Sequence, residues 1–348
     1  MAGQSYSTQA ERIAKFKGEI LGHAMPVEVL GICGMQRQVP KNNSKTVVYR
    51  RWLPYGATTA TALDSNQWDV TPGAHILSEG VTPSADSLVP QDITVQLNQY
   101  GCLYSLTDQV EDLYEDDVGS EMKKQTGERM GLVRELVRYG AVKACTNLFY
   151  AGGTSTSTVD EKVSITFLRN ISRSLQAAHA KRITRILDSS PKFGMAPVEA
   201  AYLVFAHTDC EADIRDLPGF KHVSEYGQRK VMHEQEIGSC ENFRFVLSPE
   251  LAGTADSGAS VTGTGLNSTT GTSIDIYPMI ICGEDAWGQI ALRGMNSFDP
   301  TYIPTGQKDK NDPLGQRGYI GAKFYHNAVV LNQGWMAVGW VGVSDLTP

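Results

Sequence analysis

Between Val118 and Leu148 the chain carries a helical pattern too long for a small globular domain. Apolar residues recur every three or four positions at Val118, Met122, Met130, Val133, Val137, Ala141, Ala144 and Leu148. Lys123, Lys124, Arg129, Arg134, Arg138 and Lys143 fall on the opposite side. Roughly 30 residues at 1.5 Å per residue predict a rod of about 45 Å. Acid is concentrated just ahead of it, at Asp108, Glu111, Asp112, Glu115, Asp116, Asp117 and Glu121. Negative charge at the start of a helix and positive charge further along both suit the helix dipole. Ala151-Gly152-Gly153 and the Ser/Thr run behind it are expected to end the pattern.

A rod of that length needs something to lie on, and the flanking sequence offers strands. Residues 46–54 (TVVYRRWLP) and 92–106 read as β, with Ile93, Val95 and Leu97 alternating with polar residues. Beyond Gln99 the apolar set becomes Tyr100, Cys102, Tyr104 and Leu106, and a bulge at Gly101 accounts for the shift. Residues 55–91, between the two strands, are rich in Thr, Ala, Ser, Gly and Pro and hold little that builds a core. Long loops without structure of their own are usually functional. The pattern predicts a two-stranded ribbon with a long tip. Ahead of it, residues 8–25 have helical spacing at Ile13, Phe16, Ile20, Leu21 and Ala24, and residues 27–45 read as irregular. Together they read as an arm that lies on another surface.

Residues 160–183 give a second helix, with Asp160 as its cap and Phe167, Leu168, Ile171, Leu175 and Ala178 on one side. Residues 201–206 read as a buried strand, 209–217 as a helix stopped by Pro218-Gly219, and 274–293 as two strands around Gly283-Glu284-Asp285. Residues 252–273 have the Gly/Ser/Thr composition of a flexible linker. Asp312-Pro313 and Gly315 mark a turn before one long strand, Tyr319 to Leu331. The fold class is α+β.

Composition limits the function. A net charge of −7 argues against a protein whose task is to grip nucleic acid through a basic surface. It permits a wall that encloses DNA, where low affinity is an advantage. No run of 18 or more apolar residues predicts a membrane span. The N-terminus lacks the apolar core of a secretory signal, and a chain starting at Met1 is expected to have lost no pro-segment there. Six cysteines without short spacings read as buried thiols in a reducing cytosol, not as a zinc site.

Catalytic motifs fail on inspection. His207-Thr208-Asp209-Cys210 closes a buried strand, where hydrolases place catalytic groups, but Thr208 or Asp209 capping the next helix explains it as well. His233-Glu234 does not continue to a second histidine at zinc-protease spacing. Gly263-Thr264-Gly265 lacks the third glycine of a dinucleotide loop, and neither a nucleophile elbow nor a phosphate loop is present. The acid cluster has no EF-hand spacing. It reads either as a solvated helix entrance or as one side of a contact between copies, facing Arg50-Arg51 or the basic side of the long helix. Arg50-Arg51-Trp52 also has the composition of a weak nucleic-acid contact.

The 312–338 segment, DPLGQRGYIGAKFYHNAVVLNQGWMAV, resembles the C-terminal signature of major capsid proteins from tailed bacteriophages of the N-four type, short-tailed podophages. ITVQLNQYG (93–101) and EIGSCENFRFV (236–246) support the resemblance, and the order of arm, ribbon, long helix and α+β remainder extends it over nearly the whole chain. It implies the Hong Kong 97-like capsid fold: an N-terminal arm (1–45), an extended loop (46–107), a peripheral domain with a spine helix (108–194), an axial domain (195–300) and a return strand to the peripheral domain (301–348). It implies no enzyme activity and no cofactor. The implied role is self-assembly through hexamers and pentamers into an icosahedral head in the host bacterial cytoplasm. A scaffolding protein, a portal protein, a cement or decoration protein and weakly, non-specifically contacted double-stranded DNA are the implied partners. The candidates for contacts between copies are Arg50, Arg51, Trp52, Glu111, Asp112, Glu115, Asp116, Asp117, Lys123, Lys124 and Arg317. One relative of this fold is cross-linked through a ribbon-tip lysine. Residues 55–91 contain none, so no such cross-link is expected. The alternatives are a cellular nanocompartment shell, which shares the fold, and an unassigned enzyme.

Overall fold

The structure, a computed structural model, describes residues 27–40, 42, 44–52, 72–82, 88–114, 117–187, 195–227, 231–292, 298–308, 310 and 312–346. The arm helix expected over 8–25, much of the ribbon tip, Glu115 and Asp116 lie outside them.

Two sheets carry the chain. The first has five strands: β1 (Met35–Val39), β4 (Asn98–Thr107), β12 (Trp287–Leu292), β13 (Phe298–Ile303) and β14 (Arg317–Val330). β14 is the long C-terminal strand expected from the sequence. One of its edges pairs with β4 over ten residues, and the other takes β13 and then β12 end to end, all antiparallel. β1 adds to β12 in parallel. Residues 27–45 are therefore not irregular throughout, because Met35–Val39 is held by a backbone ladder that its own sequence does not announce.

The long helix, α2, runs Val118–Lys143, preceded by the short α1 (Asp108–Leu113). Its 26 residues give about 39 Å, shorter than expected because Leu148–Tyr150 leaves the helix to form β5. α2 lies across one face of the five-stranded sheet. Met122 meets Leu106 and Ile320, and Met130 meets Ala322 and Phe324. Further along, the buried residues are Glu135, Arg138, Tyr139 and Val142, while Ala144 and Leu148 are exposed. Arg138 is thus a buried residue and not part of the basic solvent face, since its guanidinium finds partners inside.

The second sheet has eight strands. Its order is β5, β15 (Met336–Gly342), β11 (Ile276–Cys282), β7 (Met195–Ala206), β10 (Phe243–Leu247), β9 (Glu236–Cys240) and β8 (Lys221–His222), with β6 (Ile183–Leu187) also on β7. β10, β11 and β15 are buried at every residue, as expected of central strands covered on both faces. Helix α3 (Ile165–Ala177) lies on this sheet, buries Leu168, Ile171 and Leu175, and places Phe167 and Ile171 against Gly339. Its cap is Ser164, whose hydroxyl accepts the Phe167 amide at 3.2 Å, and not Asp160. The short helix α4 (Glu211–Arg215) follows a 3-10 turn over Thr208–Cys210. That turn is capped by His207, whose Nδ1 accepts the Asp209 amide.

The two strands expected around Gly283-Glu284-Asp285 exist, yet they do not pair. β11 belongs to the eight-stranded sheet and β12 to the five-stranded one. The chain crosses between sheets at this turn, where Asp285 takes φ +56. Trp287 fills the junction, fully buried, and its indole N–H donates to Cys33 Sγ at 3.4 Å.

The ribbon is β2 (Thr46–Trp52) paired with β3 (Pro90–Gln96). The single long strand expected over 92–106 is instead two strands, broken at Leu97. Gly101 is no bulge and keeps register with Lys323. Leu97 is buried with Val39, Tyr49, Val95 and Ile290, so the ribbon's root is packed on the sheet face that α2 leaves free. The linker-like stretch 252–273 is ordered by polar contacts. Gly258 and Ala259 bond to Ile274 and Val159, and Asn267 to Val343. Asp256 accepts from Ser268 and Thr270, and Asp275 from Thr269.

Candidate assembly surfaces

The ribbon brings Arg50, Arg51 and Trp52 together, each already engaged or exposed in a defined way. Arg50 stands opposite Asp92 and donates to both carboxylate oxygens at 2.7 Å. That bond holds the Asp92 carboxyl below its ordinary range. Arg51 Nε donates to Gln91 Oε1 at 2.7 Å. Both guanidinium groups therefore stiffen the ribbon, and a neighbour's carboxylate must compete for them. Trp52 is 57% exposed on the same outward face as Val48 and Arg50. Beyond it Ile76, Leu77, Val81 and Leu88 are 65–78% exposed. Sequence reasoning does not single out these four. Their signal is nonetheless present, as aliphatic side chains inside a stretch with no core of its own.

The acid cluster sits where β4 runs into α1 and α2. Asp117 caps α2, accepting the Ser120 amide at 2.9 Å and the Ser120 hydroxyl at 2.5 Å. These bonds lower its carboxyl pKa. Asp108 accepts the Gln109 amide, Glu111 accepts from the Thr305 hydroxyl, and Asp112 is exposed. Lys123 lies over the Tyr302 ring at 4.1 Å, a cation–π contact. Lys124 is exposed, and the Arg317 amide is held by Asp312 at 2.8 Å. Acidic and basic candidates thus meet within one subunit, at one end of the five-stranded sheet. Arg50 and Arg51 are on the ribbon instead.

Helical periodicity misses a third feature, because it sets Arg138 on the wrong side of α2. Glu135, almost fully buried, accepts the Val29 and Leu30 amides at 2.8 and 2.7 Å. Arg138 donates to Glu135, to Gln289 Oε1 at 2.9 Å and to Glu28, which also pairs with Arg134. This cluster clamps the root of the N-terminal segment onto α2. A cleft of about 450 Å³ opens beside it, lined by Arg37, Arg134, His233, Gln289 and His326. A second cleft of about 580 Å³ lies at the ribbon root, between Lys45, Leu97, Asp299, Lys323 and Tyr325.

Among the described residues no group of three His, Cys, Asp or Glu side chains is placed to hold a metal, and no helix is long and apolar enough to cross a membrane. Burial pushes the Cys210 thiol well up, which keeps it protonated beside Asp209.

No protein-family model matches the chain. A major capsid protein of Pseudomonas phage KPP21 is 23% identical over 264 residues, spanning 70% of this chain and 66% of that protein. The match therefore spans just under two thirds of that relative's length. Two solved structures are similar across almost their whole lengths. One is the capsid of Ralstonia phage GP4, with TM-score 0.66, 9% identity and coverage of 100% of both chains. The other is the capsid of cyanophage P-SCSP1u, with TM-score 0.60, 13% identity and coverage of 98% of both. The pairing of a long helix on one sheet, a two-stranded ribbon and a second buried sheet is the Hong Kong 97-like α+β fold of phage capsid subunits.

Proposed function

We propose that this chain is the major capsid protein of a tailed bacteriophage, self-assembling into the icosahedral head that encloses a double-stranded DNA genome. The carrying observation is the ribbon. Ile76, Leu77, Val81 and Leu88 stand in solvent with no cover from their own chain among the described residues. Apolar groups concentrated on a projecting element mark a contact with another molecule. The surface they fit is the face of the five-stranded sheet opposite α2. There Ile303 is exposed and Tyr319 half-buried. A ribbon reaching the next copy joins each subunit to its neighbours, and symmetric closure turns modest pairwise contacts into a durable shell.

In this reading residues 1–45 are the arm and 46–107 the extended loop, each lending one strand, β1 and β4, to the peripheral sheet. The spine helix and five-stranded sheet are the peripheral body, and the eight-stranded sheet, built largely from 195–300, is the axial one. Arg50, Arg51, Trp52, Glu111, Asp112, Asp117, Lys123, Lys124 and Arg317 are contact residues between copies. Hexamers and pentamers form in the host cytoplasm with a scaffolding protein and a portal protein, and a decoration protein is a further partner. The genome is contacted weakly, in keeping with the net charge of −7. The chain acts by assembly and not by catalysis.

Electron microscopy of the purified recombinant protein tests this. Closed shells or rings of uniform size are expected, alone or with the phage's scaffolding protein. A monomer that stays monomeric in both conditions overturns the reading.

A further inference from the structure

β4 has a neighbour on one side only. Among the described residues it pairs with β14 and with no other strand. In an antiparallel ladder alternate residues turn their N–H and C=O toward the partner, and the rest turn theirs away. The phase is fixed by the Asp108 amide, which donates to the Gln316 carbonyl one step past the Thr107–Arg317 pair. Even-numbered residues of β4 therefore bond to β14. Gln99, Gly101, Leu103, Ser105 and Thr107 point their backbone groups outward. The other end agrees, since the odd-numbered Leu97 donates its amide away from β14, to the Lys45 carbonyl at 2.9 Å.

Such an edge is a template for another strand, and proteins usually blunt it with charge, proline or a bulge. The opposite edge of this sheet is blunted. β13 carries Asp299 and Pro300, and β1 carries Arg37. β4, NQYGCLYSLT, has no charged residue and no proline, and its register with β14 is unbroken over ten residues. Among the described residues that leaves Gln99–Ser105, about 24 Å of edge, without a strand partner, with Leu103 53% exposed at its centre.

We propose that this edge pairs with the same edge of a second copy about a two-fold axis, joining two five-stranded sheets into one. The proposal rests on the capsid reading. An antiparallel partner for β4 is generated from β4 itself by a two-fold, which makes the contact isologous. Self-pairing opposes identical strands, so a charge at the centre of β4 would meet its own sign across the axis; β4 has none. In the register centred on Leu103, Gly101 faces Ser105, and the two Leu103 side chains cover each other. A closed icosahedral shell contains such two-fold contacts by symmetry.

The test uses the full chain in two forms. In a C102S/L103C variant the remaining native cysteines, at 33, 145, 210, 240 and 282, are buried. Shells of this variant are treated with a short bis-maleimide and mapped by peptide mass spectrometry. A link between the introduced thiols of two copies, doubling the band mass on denaturing gels, is the expected result. Shells in which the introduced thiol is singly modified, or joined to another position, overturn the proposal and leave the capsid reading standing. The second form is L103P. Proline there breaks no bond to β14, because the amide it removes points outward, and an edge strand tolerates it, so the subunit should still fold while shells are lost. L103P shells as stable as wild-type ones overturn the pairing. Absence of shells from the wild-type chain under every scaffold condition fails the capsid reading itself, and this proposal with it.

Discussion

His326 gives the sharpest prediction. It is buried on the face of β14 that meets α2, and its Nε2 has no hydrogen-bond partner. Burial, then the positive charges of Arg138 and Arg134, hold its pKa down to about 4, against 6.5 for an unperturbed histidine. The folded state therefore binds fewer protons than the unfolded state between these values. The contribution of His326 to stability is complete above pH 6.5 and is lost as pH falls toward 4. The gap amounts to about 2 kcal/mol at pH 5 and about 3 kcal/mol near pH 4. His233, which lines the same cleft, is also lowered by burial. A variant is needed to separate the two. Urea unfolding of the unassembled subunit at pH 7.5, 6 and 5 should show the wild type losing about 2 kcal/mol more than H326Q across that range. Parallel losses in the two proteins, or a His326 imidazole titrating near 6.5 by NMR, refute the reasoning.

E135A removes the acceptor of two backbone amides and one partner of a buried guanidinium. It should destabilise the subunit by about 3–5 kcal/mol in urea melts, whereas a loss typical of a surface pair, under about 1 kcal/mol, would deny the clamp. D117A takes away the α2 cap and should lower stability by about 1 kcal/mol. D117N, which keeps an accepting oxygen, should restore most of it by the same measurement. G34A places a Cβ 2.7 Å from the Trp287 ring at a residue with φ +99, so expression should fall and any soluble protein should melt markedly lower. Assembled particles should run on denaturing gels as a single band near 37.9 kDa; a ladder of multiples would reveal a covalent cross-link that the ribbon tip, lacking lysine, does not provide.

What the sequence determined by itself is what short-range periodicity can encode. The three- and four-residue spacing from Val118 places α2, the Leu168–Ile171–Leu175 stripe places α3, and the run from Tyr319 to Leu331 places β14, because each signal lies within the segment it describes. The pairing of β2 with β3 on either side of the coreless stretch forms the ribbon that the sequence pattern predicts. Tertiary structure decided everything that depends on a distant partner. Arg138 is buried where Glu28, Glu135 and Gln289 converge on it from three separate stretches of the chain, and a helical wheel sees only one. β11 and β12 flank one turn yet join different sheets, since a strand's sheet is set by the backbone it bonds to and not by the turn before it. Met35–Val39 becomes a strand only through β12, and 252–273 is held by distant backbone such as that of Val159, Ile276 and Val343. The residues proposed as contacts between copies are the least legible of all, because a surface meant for another molecule carries no periodicity of its own and stands out only once the folded chain leaves it uncovered.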